Sequence, residues 1–116
     1  KVHMRRAVAL APDSAVTHFN LAMLLLRTSE SAEPQVRLEE LQEAELEYRE
    51  SIRCDPDVAD CGARVYNEHG VALIRLDRTE EACAAWWDCL RIEPHGAEAE
   101  RARQNLMSLN FNEPNE

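Results

Sequence analysis

"WWDCLRIEP" (86–94) repeats the residue pattern of two earlier stretches, "MRRAVALAP" (4–12) and "YRESIRCDP" (48–56). Each stretch begins with a bulky residue and has a small residue three places on. Apolar residues follow four and six places on, and proline eight places on. Side chains spaced three and four apart lie on one face of a helix, and proline ends the helix. We therefore predict one helical unit that is used three times.

A second type of helix lies between these units. "HFNLAMLL" (18–25) and "YNEHGVAL" (66–73) align with Ala22 opposite Gly70, and small residues there let two helices approach closely. The alternation resembles tetratricopeptide repeats (TPR), whose pattern is W-x2-L-G-x2-Y, then A-x3-F, then P. The matching residues are His18, Leu21, Ala22, Leu25, Ala44, Tyr48 and Pro56, and then Tyr66, His69, Gly70, Leu73, Ala82, Trp86 and Pro94. The resemblance implies an all-α, TPR-like right-handed α-solenoid of about five to six helices.

The repeat pattern divides the chain into four parts. We predict the tail of a preceding repeat in 1–12, a repeat with a ten-residue insertion in 13–56, a second repeat in 57–94, and a capping helix and tail in 95–116. This division indicates either a segment of a longer array or a chain from which a preceding helix has been removed. The capping helix is expected at about 97–109, because it is polar where the pattern calls for apolar residues.

The insertion lies at about 27–43. Leu73 and Ala82 are nine positions apart, whereas the corresponding Leu25 and Ala44 are nineteen apart. "RTSESAE" (27–33) is interpreted as a longer loop, and Pro34 as the start of an extended second helix. The extra residues are either a recognition loop or a tolerated extension.

Composition excludes several classes of partner. The net charge is −9, from 22 acidic and 13 basic residues, which argues against nucleic-acid backbones and anionic membranes as partners. No apolar run approaches the roughly 20 residues of a membrane span. The four cysteines lack C-x-x-C spacing, so reduced thiols in a cytoplasmic protein are expected.

We expect no catalytic, cofactor-binding or metal-binding residues. The chain has three glycines and no phosphate-binding loop, and its four histidines fall in different elements without i, i+4 spacing. The acidic run "EELQEAELEYRE" (39–50) is interpreted as a solvated helix face partly paired to Arg49 and Arg53. An enzyme is therefore not expected.

The resemblance implies a concave groove, lined by the first helices of successive repeats, that binds a peptide or another segment of a protein partner. Asparagine can bind a peptide backbone and arginine a carboxylate. The candidate groove residues are Phe19, Asn20, Met23, Leu26, Arg27, Arg64, Asn67, Val71, Ile74, Arg75, Arg101 and Asn105. The predicted function is a scaffold or adaptor. The alternative is a structural segment that self-associates through exposed repeat ends and binds no peptide.

Some TPR domains hold the C-terminal carboxylate of heat-shock chaperones with lysine, asparagine and a basic pair. The corresponding positions here are Phe19, Met23, Glu68, Glu98 and Ala102, so the resemblance does not extend to this carboxylate clamp.

Trp87 has no counterpart in the other two units, which have Arg5 and Arg49 at its position. Trp86 corresponds to Tyr48 and Met4 and is predicted to be core. Trp87 is interpreted either as a cover for the connection after Pro56 or as a convex contact for another chain.

Overall fold

The computed structural model describes residues 2–11, 13–58 and 61–109, which form six α-helices. They are α1 (Val2–Leu10), α2 (Ala15–Ser29), α3 (Pro34–Cys54), α4 (Arg64–Arg75), α5 (Thr79–Ile92) and α6 (Ala97–Ser108). These ranges contain no β-strand, so the all-α prediction of five to six helices is confirmed. Each helix packs on the next, an arrangement consistent with a helical-repeat solenoid.

Local residues explain where the helices begin. The Ser14 hydroxyl accepts a hydrogen bond from the Thr17 amide at 3.2 Å and so caps α2. Pro34 occupies the first turn of α3, as predicted, where its missing N–H costs nothing. Gly96 precedes α6 with φ of 109°, a conformation that glycine adopts without strain. The predicted start of the last helix is therefore confirmed.

The ten extra residues of the first repeat lie mainly in helices, so the prediction of a longer loop was wrong. α2 continues to Ser29, and only residues 30–33 separate it from α3. Leu26 and Ser29 are buried, and the Arg37 guanidinium donates to the carbonyl oxygens of Ser29 at 3.2 Å and Ala32 at 2.9 Å. Burial and these hydrogen bonds stabilise helix where polar composition had indicated loop.

The core contains the residues that the repeated units share. Tyr48 is completely buried and Trp86 is 2% exposed, as their equivalent positions predict. Gly70 faces the Trp86 side chain, so it accommodates an indole ring instead of a neighbouring backbone. The division into repeats remains a prediction, and Pro12, residues 59–60 and the predicted tail from residue 110 lie outside the described residues.

Helix α1 packs on α2 and is also tied to α3. The Arg5 guanidinium donates to both carboxylate oxygens of Glu43, at 2.8 and 2.6 Å. This two-bonded geometry is the favourable one for arginine and carboxylate, although both side chains are partly exposed.

Candidate protein-binding groove

Three helices form an inner layer. α2 contacts α4 and α4 contacts α6, whereas α3 and α5, whose residues are all described, do not contact each other. In a curved helix stack, the helices that approach one another lie inside the curve. We call the solvent-facing side of α2, α4 and α6 the inner face. Its exposed predicted residues are Asn20, Arg27, Arg64, Arg75 and Arg101.

A pocket of about 180 Å³ lies between α2 and α4 on the inner face. It brings together four predicted residues, Met23, Leu26 and Arg27 of α2 and Arg64 of α4. Small-molecule sites usually have roughly 300–1,000 Å³, so this pocket has the size for one side chain of a partner. Glu30 and Glu68 complete its lining. The helical period could have identified them, because Glu30 follows Arg27 by three residues and Glu68 follows Arg64 by four.

Ion pairs hold most arginines of the inner face. Arg64 lies 3.6 Å from Glu68, and Arg101 lies 2.9 Å from Glu98. Arg75 of α4 lies 3.2 Å from Glu30, which follows α2, and so links the two helices. Arg27 is exposed and forms no ion pair with any described residue. Arg27 is thus the cation of this surface with the least competition from the chain itself.

Asn67 joins two helices of the inner layer, α4 and α6. Its amide nitrogen donates to the Glu98 carbonyl oxygen at 2.7 Å and to the Glu98 carboxylate at 2.9 Å, which joins α4 to α6. Its side-chain oxygen is buried and has no hydrogen-bond partner among the described residues. Asn67 is 4% exposed, so a partner cannot reach its side chain without moving α6.

The remaining predicted residues divide by depth. Phe19 and Leu26 are 7% and 6% exposed, and the Phe19 ring packs on the Tyr48 ring with their centroids 6.1 Å apart. They support the inner face from below. Met23, Val71, Ile74 and Asn105 are half-buried.

The carboxylate of Glu45 lies in a second cleft, of about 500 Å³, which opens between α3 and α5 on the other side of the stack. Glu40 is 5% exposed and Glu45 is 3% exposed, so the interpretation of the whole acidic run as a solvated face was wrong at these two residues. Glu45 accepts hydrogen bonds from Arg49, from His69 at 2.9 Å and from Arg78 at 3.0 Å. These partners come from α3, from α4 and from the turn before α5. The helical period of α3 alone could not reveal the last two.

The pKa values of this network follow from burial and pairing. Burial raises the pKa of Glu45, but the hydrogen bonds from Arg49, His69 and Arg78 outweigh it and lower the pKa to about 2. Burial lowers the pKa of His69, and the opposing effect of Glu45 is smaller. The network at neutral pH is therefore a carboxylate held by two guanidinium groups and a neutral imidazole.

Cys83 and Cys89 are the two buried cysteines of the described ranges. Burial raises the pKa of Cys83, and it raises that of Cys89 to about 11, so both are protonated at neutral pH. Among the described residues, no cluster of three His, Cys, Asp or Glu side chains could hold a metal ion. No described helix is long and apolar enough to cross a bilayer.

The amino-acid sequence was compared with protein families and with known proteins. No family model matches the chain. The chain is 31% identical over 93 residues to a DnaJ homolog subfamily C member 7 homolog of Schizosaccharomyces pombe. The alignment covers 78% of this chain and 20% of the relative, so the chain spans about a fifth of that protein.

Proposed function

We propose that this chain is a TPR-like protein-interaction module, a scaffold or adaptor segment whose inner face binds a peptide of a partner protein. The observation that carries the proposal is the pocket between α2 and α4, where Met23, Leu26 and Arg27 meet Arg64. These residues come from the first helices of two successive units.

The chemistry of the pocket supports recognition of a peptide side chain. Met23 and Leu26 supply apolar contact, and methionine adapts to side chains of different shape. Glu30 and Glu68 lie beside Arg27 and Arg64, so the rim presents both signs of charge. Charges of both signs favour one register of a bound peptide over others.

In this proposal the buried members of the predicted groove residues stabilise the inner face and do not contact the peptide. Phe19 packs under the inner face, and Asn67 fastens α6. Substituting either residue would disturb folding as well as binding. The informative substitutions are therefore at exposed Arg27 and Arg64.

Two further observations support a location of this module within a larger protein and in a reducing compartment. The similarity to part of a DnaJ homologue supports a module that acts within a larger protein. Cys83 and Cys89 are buried as thiols, which supports a reducing compartment such as the cytoplasm.

The test is selection of peptides from a random displayed library, followed by calorimetric titration of the selected peptides. We expect Arg27→Glu and Arg64→Glu each to weaken binding by about tenfold, because each reverses a charge beside the bound chain. Arg53→Glu is the matched control, since Arg53 is exposed at the end of α3 and away from the inner face. Equal loss in all three variants, or no loss at Arg27 and Arg64, would contradict the proposal.

A second candidate is self-association without a peptide ligand. Leu10 of α1 is 81% exposed and Met107 of α6 is 73% exposed, so apolar side chains face solvent on the first and last helices. Light scattering during size-exclusion chromatography would decide between the two. A dimer that is lost in Leu10→Asp or Met107→Asp, with no selected peptide sensitive to Arg64→Glu, favours self-association.

A further inference from the structure

Trp87 lines a cleft outside the hydrophobic core. Trp86 already fills the core position of this unit and is 2% exposed, whereas Trp87 is half-buried. The cleft has about 470 Å³ and lies between α5 and α6, with Trp87, Leu90, Arg91, Pro94 and Arg103 as its lining. Thus a large aromatic side chain remains partly open to solvent beside a cavity of ligand size.

The lining combines an apolar floor with two cationic groups. Trp87, Leu90 and Pro94 supply the apolar surface. Arg103 of α6 donates a hydrogen bond to the Pro94 carbonyl oxygen at 2.5 Å, which holds its guanidinium group at the edge of the cleft. A guanidinium group has five N–H donors, and this bond uses one of them.

Arg91 supplies the second cation. Its Nε atom lies 3.6 Å from the Asp88 carboxylate, beyond normal hydrogen-bonding distance, and its side chain is 63% exposed. A closer carboxylate from another molecule can therefore compete for Arg91. The lining of the cleft includes two arginines and no carboxylate, in a chain whose net charge is −9.

We propose that this cleft is a second interaction site, which binds an acidic segment of a protein partner that carries an apolar side chain. The apolar side chain lies on Trp87, and flanking carboxylates pair with Arg91 and Arg103. Carboxylates match guanidinium groups in two-bonded geometry, and tryptophan and arginine contribute strongly to interfaces. The cleft shares no lining residue with the pocket between α2 and α4, so it does not depend on the peptide groove proposed above.

The test is a nuclear magnetic resonance titration of the ¹⁵N-labelled chain with short blocked peptides. The probe is Asp-Glu-Leu-Phe-Asp-Glu, and the controls are Lys-Lys-Leu-Phe-Lys-Lys and Asp-Glu-Ala-Ala-Asp-Glu. We expect the acidic apolar probe to shift the Trp87 indole N–H signal and the amides of residues 87–94, and each control to bind at least about tenfold more weakly.

Two charge-reversal variants locate the contact. Arg103→Glu should weaken probe binding by about tenfold or more, whereas Arg53→Glu, with a partly exposed arginine on α3, should leave it unchanged. Circular dichroism checks that both variants keep the helical fold. Trp87→Leu keeps an apolar group and should weaken binding less than Trp87→Asp.

Three outcomes would overturn the proposal. In the first, the acidic probe would shift the signals of Arg27 and Arg64 in place of that of Trp87. In the second, the basic control would bind as well as the acidic probe. Alternatively, the Trp87 signal moves with protein concentration alone as the mass doubles, which would assign the cleft to a second copy of the chain.

Discussion

Tyr48 shows most directly how the inner layer is built at the scale of single residues. Its side chain comes from α3 and packs against Phe19 of α2 and His69 of α4. Its hydroxyl group is buried and has no hydrogen-bond partner among the described residues. Burial raises the pKa of this hydroxyl group.

Tyr48→Phe is expected to stabilise the protein by about 1 kcal/mol, because it removes a buried polar group that makes no hydrogen bond. Urea unfolding followed by circular dichroism measures the change. Tyr66→Phe is the matched control. The Tyr66 hydroxyl donates a hydrogen bond to the Pro56 carbonyl oxygen at 3.4 Å, so its removal should not stabilise the protein. A loss of stability in Tyr48→Phe would show that the hydroxyl has a partner.

Gly70 is limited to glycine by Trp86. A Cβ atom at residue 70 would lie 2.3 Å from Nε1 of the indole, and the ring cannot easily move because Nε1 donates to the Asn67 carbonyl oxygen. Gly70→Ala should therefore destabilise the fold by about 1–3 kcal/mol. In a Trp86→Phe background the penalty should shrink, because the clashing five-membered ring is gone. An equal penalty in both backgrounds, measured by urea unfolding, would exclude this contact as the cause.

At the scale of helices, the sequence predicted those helix boundaries that depend on residues close by in the chain. Pro34 marks the start of α3, and the polar stretch after Gly96 is α6. The stretch 27–29 was misread, since its helix depends on burial against α3 and on the Arg37 side chain. The candidate groove was predictable in part. The resemblance to TPR repeats implied that Arg27 and Arg64 lie on one surface, but the hydrogen bond from Asn67 to Glu98 joins residues 31 positions apart and has no local signal.

Asn67→Ala is expected to loosen α6 from α4. It removes two hydrogen bonds to Glu98, so we expect a loss of about 1–3 kcal/mol and faster hydrogen exchange at the amides of α6. Asn20→Ala makes the same chemical change at an exposed position of α2 and serves as control. Faster hydrogen exchange at the amides of α2 or α4, with α6 unchanged, would contradict the conclusion that Asn67 holds α6 against α4.

At the scale of the whole molecule, the network of Glu45 makes stability depend on pH. The pKa of Glu45 is about 2 in the folded chain against an ordinary 4.5, so its contribution is complete above pH 4.5 and is lost as pH falls toward 2. Burial lowers the pKa of His69 from its ordinary 6.5. The unfolded chain therefore binds this proton first as pH falls below 6.5. Both groups act in the same direction, and acid favours unfolding.

We therefore expect the free energy of unfolding to fall between pH 7.5 and 5.5 and to fall further by pH 3. Since a tenfold change in proton affinity is worth about 1.4 kcal/mol, Glu45 accounts for about 3 kcal/mol of the loss in strong acid. His69→Gln should reduce the fall between pH 7.5 and 5.5, whereas His95→Gln, at an exposed position, should not. Urea titrations at each pH measure the effect. An unchanged fall in His69→Gln would assign it to another group.

The long α2–α3 hairpin has a consequence for cooperativity. α2 and α3 have 15 and 21 residues, against 12 and 14 in α4 and α5, so the first pair shares the longer interface. In a linear stack, stability is a sum of local contributions from units and their interfaces. The molecule should therefore lose its order in stages, with α4–α6 opening while α2–α3 persists. Native-state exchange in low denaturant would then show two groups of amides with different opening free energies, and α2–α3 would act as a folded nucleus on which the rest assembles.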